Sequence, residues 1–245
     1  VKTKPPLIVS GNYKEMPLTI YGENHSNIHN AFYEELDLSG KHVLVEHSTL
    51  FCKLQPGEEA LFAKAKGSEW VWFTRTVNGE PVICIDSRIE DGFLNRLEEE
   101  GLVNGNVTPE ILLDATKKIL MAITKIKHKF TPVKAEYMQI VPAIQGQFKQ
   151  IMLNIKNEER DEALVEELIA NLLKISNLSV DMNIIEKLDE YAKEGNTRPI
   201  VIFVGVNHAE RLQGILGLSK GGAGKSKSRK SRKGRKRTIR KRTKK

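Results

Sequence analysis

The chain has 245 residues, 40% of them hydrophobic, enough for one sizeable core or two small ones. Its net charge of +8 is unevenly held: residues 219–245 carry 15 Lys or Arg and no acid, so the preceding residues hold 24 bases against 31 acids, a net −7. That composition describes an acidic domain with a cationic appendage and excludes a disulfide-rich secreted scaffold; no apolar run approaches the roughly 18 residues of a membrane helix, so no membrane span is expected.

The first elements are short strands. Leu7-Ile-Val-Ser-Gly-Asn-Tyr reaches a turn, and Pro17-Leu-Thr-Ile-Tyr resumes as a β-branched, apolar run that stops at Gly22. Ser26 is a candidate N-cap for a helix whose face carries Ile28, Phe32 and Leu36, with Glu34 and Glu35 outside it. His42-Val-Leu-Val-Glu46 reads as a buried parallel strand, which completes a βαβ unit. Pro56-Gly-Glu-Glu-Ala opens another helix, Glu69 to Val77 fits helix or strand, and Pro81-Val-Ile-Cys-Ile-Asp86 is again a buried strand.

From Thr108 to Glu194 the period is helical. Thr108-Pro109-Glu110 caps a run through Met121, and Thr131-Pro132 starts a helix that Pro142 or Gly146 would break. Two further helices are expected near 161–174 and 181–193. Arg198-Pro-Ile-Val-Ile-Phe-Val-Gly205 is the strongest strand signal, followed by a helix through Ala209, Leu212 and Leu216. The order predicts an α/β fold with a mixed, mainly parallel sheet flanked by helices. Its parts are 1–107 and 198–218 for the core, 108–197 for a helical insertion or lid, and 219–245 for a disordered polybasic tail.

Two strings share more than spacing. Gly22-Glu-Asn-His25 and Gly205-Val-Asn-His208 each end a strand, place Asn before His and begin a helix. Ligands in open α/β sheets collect beyond the carboxyl ends of parallel strands, so the two histidines are expected in one crevice. Glycine at the strand exit permits close approach, and each helix N-terminus offers N–H groups. Glu46, at the end of its strand, and Glu23 add carboxylates. Imidazole with carboxylate suits general acid–base activation of water, or a divalent metal held by His25, Glu46 and His208.

These motifs, in this order around Val43-Leu-Val-Glu46, resemble the superfamily that includes the erythromycin esterases, the ChaN-like haem-binding lipoproteins, and the TraB and Tiki proteins. Asp86-Ser-Arg88 looks like the Asp-x-Arg step of TraB relatives. The resemblance implies an α/β core, a crevice containing Glu23, His25, Glu46 and His208, and a hydrolase-like activity. In that activity the histidines activate water, the glutamates act as base or ligand, and Arg88 stabilises an oxyanion. It covers both ends of the body and leaves the helical middle unmatched; members include hydrolases, metalloproteases and ligand binders. The substrate class it suggests is a small molecule or a peptide.

Other residues have plainer roles. His29, one helical turn after His25, faces either the crevice or solvent. His47 ranks below Glu46 because neighbouring strand residues alternate faces, and His42 and His128 are expected at the surface. Trp70, Trp72 and Phe73 are expected in the core rather than a pocket. The Glu98-Glu99-Glu100 run is a solvated helix face. Cys52 and Cys84 lack metal spacing and are expected as free, buried thiols, with a single disulfide as the lesser alternative.

The tail, through Arg229, Lys230, Arg232, Lys233, Arg235, Lys236, Arg237, Arg240, Lys241 and Arg242, is expected to bind nucleic acid or another polyanion by counterion release. It has no aromatic residue for base stacking, and its Arg-Lys runs equally fit a nuclear signal. Phosphorylation of Ser226, Ser228 or Ser231 would weaken either role. Such endings resemble those of proteins packaged by large DNA viruses. The start, Val1-Lys-Thr-Lys-Pro-Pro, has no apolar signal region, so the expected location is the cytoplasm, the nucleus or a virus particle. The competing expectation is a non-catalytic, nucleic-acid-associated or virion structural protein that retains the fold.

Overall fold

The structure, a computed structural model, describes residues 6–24, 30–49, 52–55, 57–59, 65–88, 91–93, 108–157, 159 and 161–220. Among them the strands form one six-stranded mixed sheet in the order β4-β3-β5-β2-β1-β6, and the fold is α/β. β1 (Leu7–Tyr13) and β2 (Met16–Glu23) make an antiparallel hairpin, closed by Lys14 and Glu15 at positive φ of 45° and 72°. Two positive-φ residues give the turn whose twist matches that of the flanking strands. β2, β5 (Ile200–Gly205), β3 (His42–Ser48) and β4 (Ile83–Asp86) run parallel. Their carboxyl ends therefore share one edge, where Glu23, Gly205, Glu46 and Asp86 lie.

Each face of the sheet carries its own apolar cluster because successive strand residues alternate sides. Val43, Val45, Val201 and Phe203 point to a smaller cluster with Tyr33 of α1 (Asn30–Glu34) and Val71 and Trp72 of α2 (Ser68–Val77). Leu44, Ile200, Ile202 and Val204 point to the larger one. That cluster also holds Ile119 of α3 (Pro109–Ile126), Ile144 of α4 (Lys134–Lys156), Leu172 of α5 (Glu162–Lys193) and Leu212 of α6 (Val206–Leu216). Right-handed crossovers explain the split: β2 to β3 to β4 steps one way across the sheet and β4 to β5 steps back, which sends their helices to opposite faces.

The structure decides one open reading and departs from expectation elsewhere in the helices. Residues 69–77 resolve as helix; Val71 and Trp72 are buried on the sheet. α4 runs unbroken through Pro142 and Gly146, because Ile140, Ile144 and Ile151 bury its apolar side around the lost hydrogen bond. A 3-10 segment, Lys127–Val133, stands where a helix start was expected at Thr131. The two helices expected near 161–174 and 181–193 are one helix, α5, of 32 residues. Ser176 and Ser179, which fall between the two expected helices, and Asp181, where the second was expected to begin, are all buried. By length and composition α5 could cross a membrane, but 61% of its most apolar window is buried within the fold, which marks it as a core helix. At the other end, Ser219 and Lys220 do not join the tail: they form β6, antiparallel to β1.

Candidate functional site

The second Gly-x-x-His element is built as its sequence suggests. β5 ends on Gly205, α6 begins at Val206, and His208 lies in its first turn, 5% exposed. Glu46 reaches it from β3. As the second residue after Leu44 it shares the face of the larger cluster, and its Oε1 lies 3.3 Å from His208 Nε2. Glu46 Oε2 accepts the Gly205 backbone N–H at 2.6 Å. The carboxylate thus sits at the N-terminus of α6, where the helix dipole favours an anion.

Arg88 arrives from the turn after β4. Its Nε and Nη2 bind both carboxylate oxygens of Asp86 at 2.9 and 2.7 Å, Nη2 also lies 3.4 Å from Glu46 Oε1, and Nη1 donates to Asn177 Oδ1 at 3.0 Å. The guanidinium fork is largely engaged, so Arg88 positions Glu46 rather than offering a free oxyanion donor.

α5 supplies the residues that sequence reasoning missed. Asp181, fully buried, accepts from His208 Nδ1 through Oδ1 at 2.6 Å and from Arg211 Nε through Oδ2 at 2.5 Å. Asn177, one helical turn earlier on the same face, holds Arg88. The result is a chain of alternating charge, Asp86–Arg88–Glu46–His208–Asp181–Arg211. Burial alone would lower the His208 value, but the Asp181 and Glu46 carboxylates outweigh it and lift it from 6.5 to about 9. Burial would raise Glu46, but His208, the Gly205 N–H and Arg88 bring it down from 4.5 to about 2. At neutral pH the pair is imidazolium and carboxylate. His208 is therefore an acid or a charge stabiliser, and Glu46 is a weak base.

The first Gly-x-x-His element is placed differently. Glu23 pairs with Gly205 and Gly22 with Val204, so the two motifs are offset by one residue across the ladder. Glu23 follows Tyr21 to the smaller cluster's face, where it is 2% exposed. There it accepts from Ser68 N at 2.8 Å and from Tyr33 Oη at 3.2 Å. Burial and the Glu23 carboxylate together push the Tyr33 phenol far up, so it stays a donor. Glu46 and His208 are thus brought together with Arg88, whereas Glu23 reaches the same edge from the opposite face. His25 and His29 lie outside the described residues, as do Glu98, Glu99, Glu100 and the tail from 221 onward.

Among the described residues no group of three or more His, Cys, Asp or Glu is arranged to hold a metal ion. Glu46 and His208 are the two of the expected donors that lie there, and the cations facing the Glu46 carboxylate are Arg88 and protonated His208.

The remaining side chains settle in plain roles. Trp72 is core, and its indole donates to the Cys52 carbonyl at 3.3 Å. The His47 ring packs on Trp72 at 4.4 Å, on the face opposite Glu46. His42 is half-buried and stacks on Tyr191, whereas His128 is exposed. The expectation of free thiols is corrected: Cys52 and Cys84 form a disulfide with Cα atoms 6.1 Å apart. Their 32-residue separation carries no motif, and the fold alone brings the segment after β3 alongside β4.

Set against known proteins, the chain matches no family model, no curated protein and no solved structure.

Proposed function

We propose that the chain is a hydrolase-like enzyme of the erythromycin esterase, ChaN-like and TraB–Tiki superfamily, with His208 as its acid and the basic tail as a polyanion-binding locator. One observation carries the reading: a buried imidazole clamped between Asp181 and Glu46 at the carboxyl edge of four parallel strands. Open α/β sheets do their chemistry at that edge. The family assignment rests on the order of the two Gly-x-x-His motifs, Glu46 and Asp86-Ser-Arg88.

In this reading His208 gives its Nε2 proton to the departing oxygen of an ester, or to the departing nitrogen of an amide. Asp181 and Glu46 hold the ring meanwhile, and Arg88 fixes Glu46. His25 takes the proton of the attacking water, with Glu23 beside it in sequence. The test is turnover of 4-nitrophenyl acetate, 4-nitrophenyl butyrate and a simple lactone by wild type, His208→Gln and His25→Ala. Loss of turnover in both variants with unchanged circular dichroism supports the reading, and retained turnover in both sinks it.

A second reading has its own support. His208 is 5% exposed and both ring nitrogens already face carboxylates, as befits a structural centre in a non-catalytic nucleic-acid-associated or virion protein. Its prediction is salt-dependent binding to random-sequence duplex DNA, lost on truncation after Lys220, a cut that spares β6. Full-length protein that ignores DNA at low salt would end it.

A further inference from the structure

We infer that Asp181 is the positioning residue of the site, fixing the His208 ring with a proton on Nδ1 and with Nε2 turned toward Glu46. Asp181 is rigidly held. It stands near the middle of the 32-residue α5, is fully buried, and has its second oxygen held by Arg211 Nε at 2.5 Å. A carboxylate held at both oxygens and carried on a helix interior cannot swing.

Hydrogen-bond chemistry then fixes the ring. His208 Nδ1 lies 2.6 Å from Asp181 Oδ1 and 3.0 Å from Arg211 Nη2. A carboxylate only accepts and a guanidinium only donates, so the two neighbours ask opposite things of the same nitrogen. The shorter contact decides: without a proton on Nδ1, two lone pairs would face each other at 2.6 Å. Arg211 is therefore the counter-charge of Asp181 rather than a donor to the ring. With Nδ1 committed, Nε2 is the nitrogen left to face Glu46 and any reacting group.

The same helix sets the other end of the chain. Asn177 holds Arg88, and Arg88 holds Glu46. One face of α5 thus orients both members of the Glu46–His208 pair.

The test uses full-length protein labelled with 15N-histidine. Two-bond proton–nitrogen correlations of the ring are recorded above the value of about 9 at which His208 loses its second proton. The His208 signal is assigned by its absence from His208→Gln. The wild-type ring should be the Nδ1–H tautomer and should shift toward Nε2–H in Asp181→Asn; an Nε2–H wild-type ring overturns the inference. Wild type alone decides the matter if Asp181→Asn does not fold. Arg211→Gln, which leaves the Asp181–His208 bond, should keep the Nδ1–H form. The activity arm rests on the hydrolase reading: kcat on a simple lactone, whose alkoxide leaving group needs the His208 proton, should fall by about 100-fold in Asp181→Asn with KM nearly unchanged. Absent wild-type turnover defeats the hydrolase reading and leaves the ring measurement standing.

Discussion

The charge chain through His208 makes stability depend on pH in a calculable way. His208 titrates near 6.5 when unfolded and near 9 in the fold. A raised value means its stabilisation is complete below pH 6.5 and is lost as pH climbs through 9. At about 1.4 kcal/mol per pH unit the full effect is about 3 kcal/mol. Glu46, lowered from 4.5 to about 2, adds stability above pH 4.5 that disappears as pH falls through 2. The two values describe partly the same ion pair, so their energies do not add. Denaturant unfolding at pH 6 and pH 9.5 separates this contribution from other titrations when wild type is compared with His208→Gln. Wild type should lose about 3 kcal/mol more than the variant between those pH values. Parallel losses in both proteins would show that His208 does not carry this pH dependence, as would an NMR titration placing His208 near its ordinary value.

Gly22→Ala tests the packing that carries His208. A Cβ there would lie 2.7 Å from Ala209 Cβ, 3.2 Å from Val206 Cα and 3.3 Å from Leu7 Cβ, two of them on the first turn of α6. Destabilisation of about 1–3 kcal/mol is expected by denaturant unfolding, relieved in part by Ala209→Gly; a neutral Gly22→Ala would refute the close approach. For the disulfide, a thiol reagent under denaturing, non-reducing conditions should find neither Cys52 nor Cys84 free. Reducing that bond should cost about 3–4 kcal/mol, given the loop it closes. Two free thiols in the purified native protein would contradict the pairing.

Much of the sheet was legible in the sequence. Apolar runs at 42–46, 81–86 and 198–205 have the length and β-branching of buried strands, and Glu46, Arg88 and His208 stand at or near their carboxyl ends. What local pattern could not reveal is which face each end presents. Glu23 and Glu46 look equivalent as strand-terminal carboxylates, yet alternation from Tyr21 and from Leu44 sends them to opposite sides. Asp181 was hidden for another reason. Asn177, Asp181 and Asn183, so close together, suggest the end of a helix, because in isolation such residues compete with helical hydrogen bonds. In α5 they are satisfied instead by tertiary partners: Asp181 by His208 and Arg211, Asn177 by Arg88, Asn183 by Ser87. The Asn177–Asp181 spacing of one helical turn was the available signal. The disulfide had none, since its pairing depends wholly on how β3 and β4 are joined.

The central claim is that His208 works as an acid in hydrolysis, and steady-state turnover of a simple lactone, whose alkoxide leaving group needs a proton, by wild type and His208→Gln tests it most directly. Turnover in wild type that falls by about 100-fold or more in a folded His208→Gln is the predicted result. Equal rates in the two proteins, or a folded wild type that hydrolyses neither aryl ester nor lactone, would contradict it.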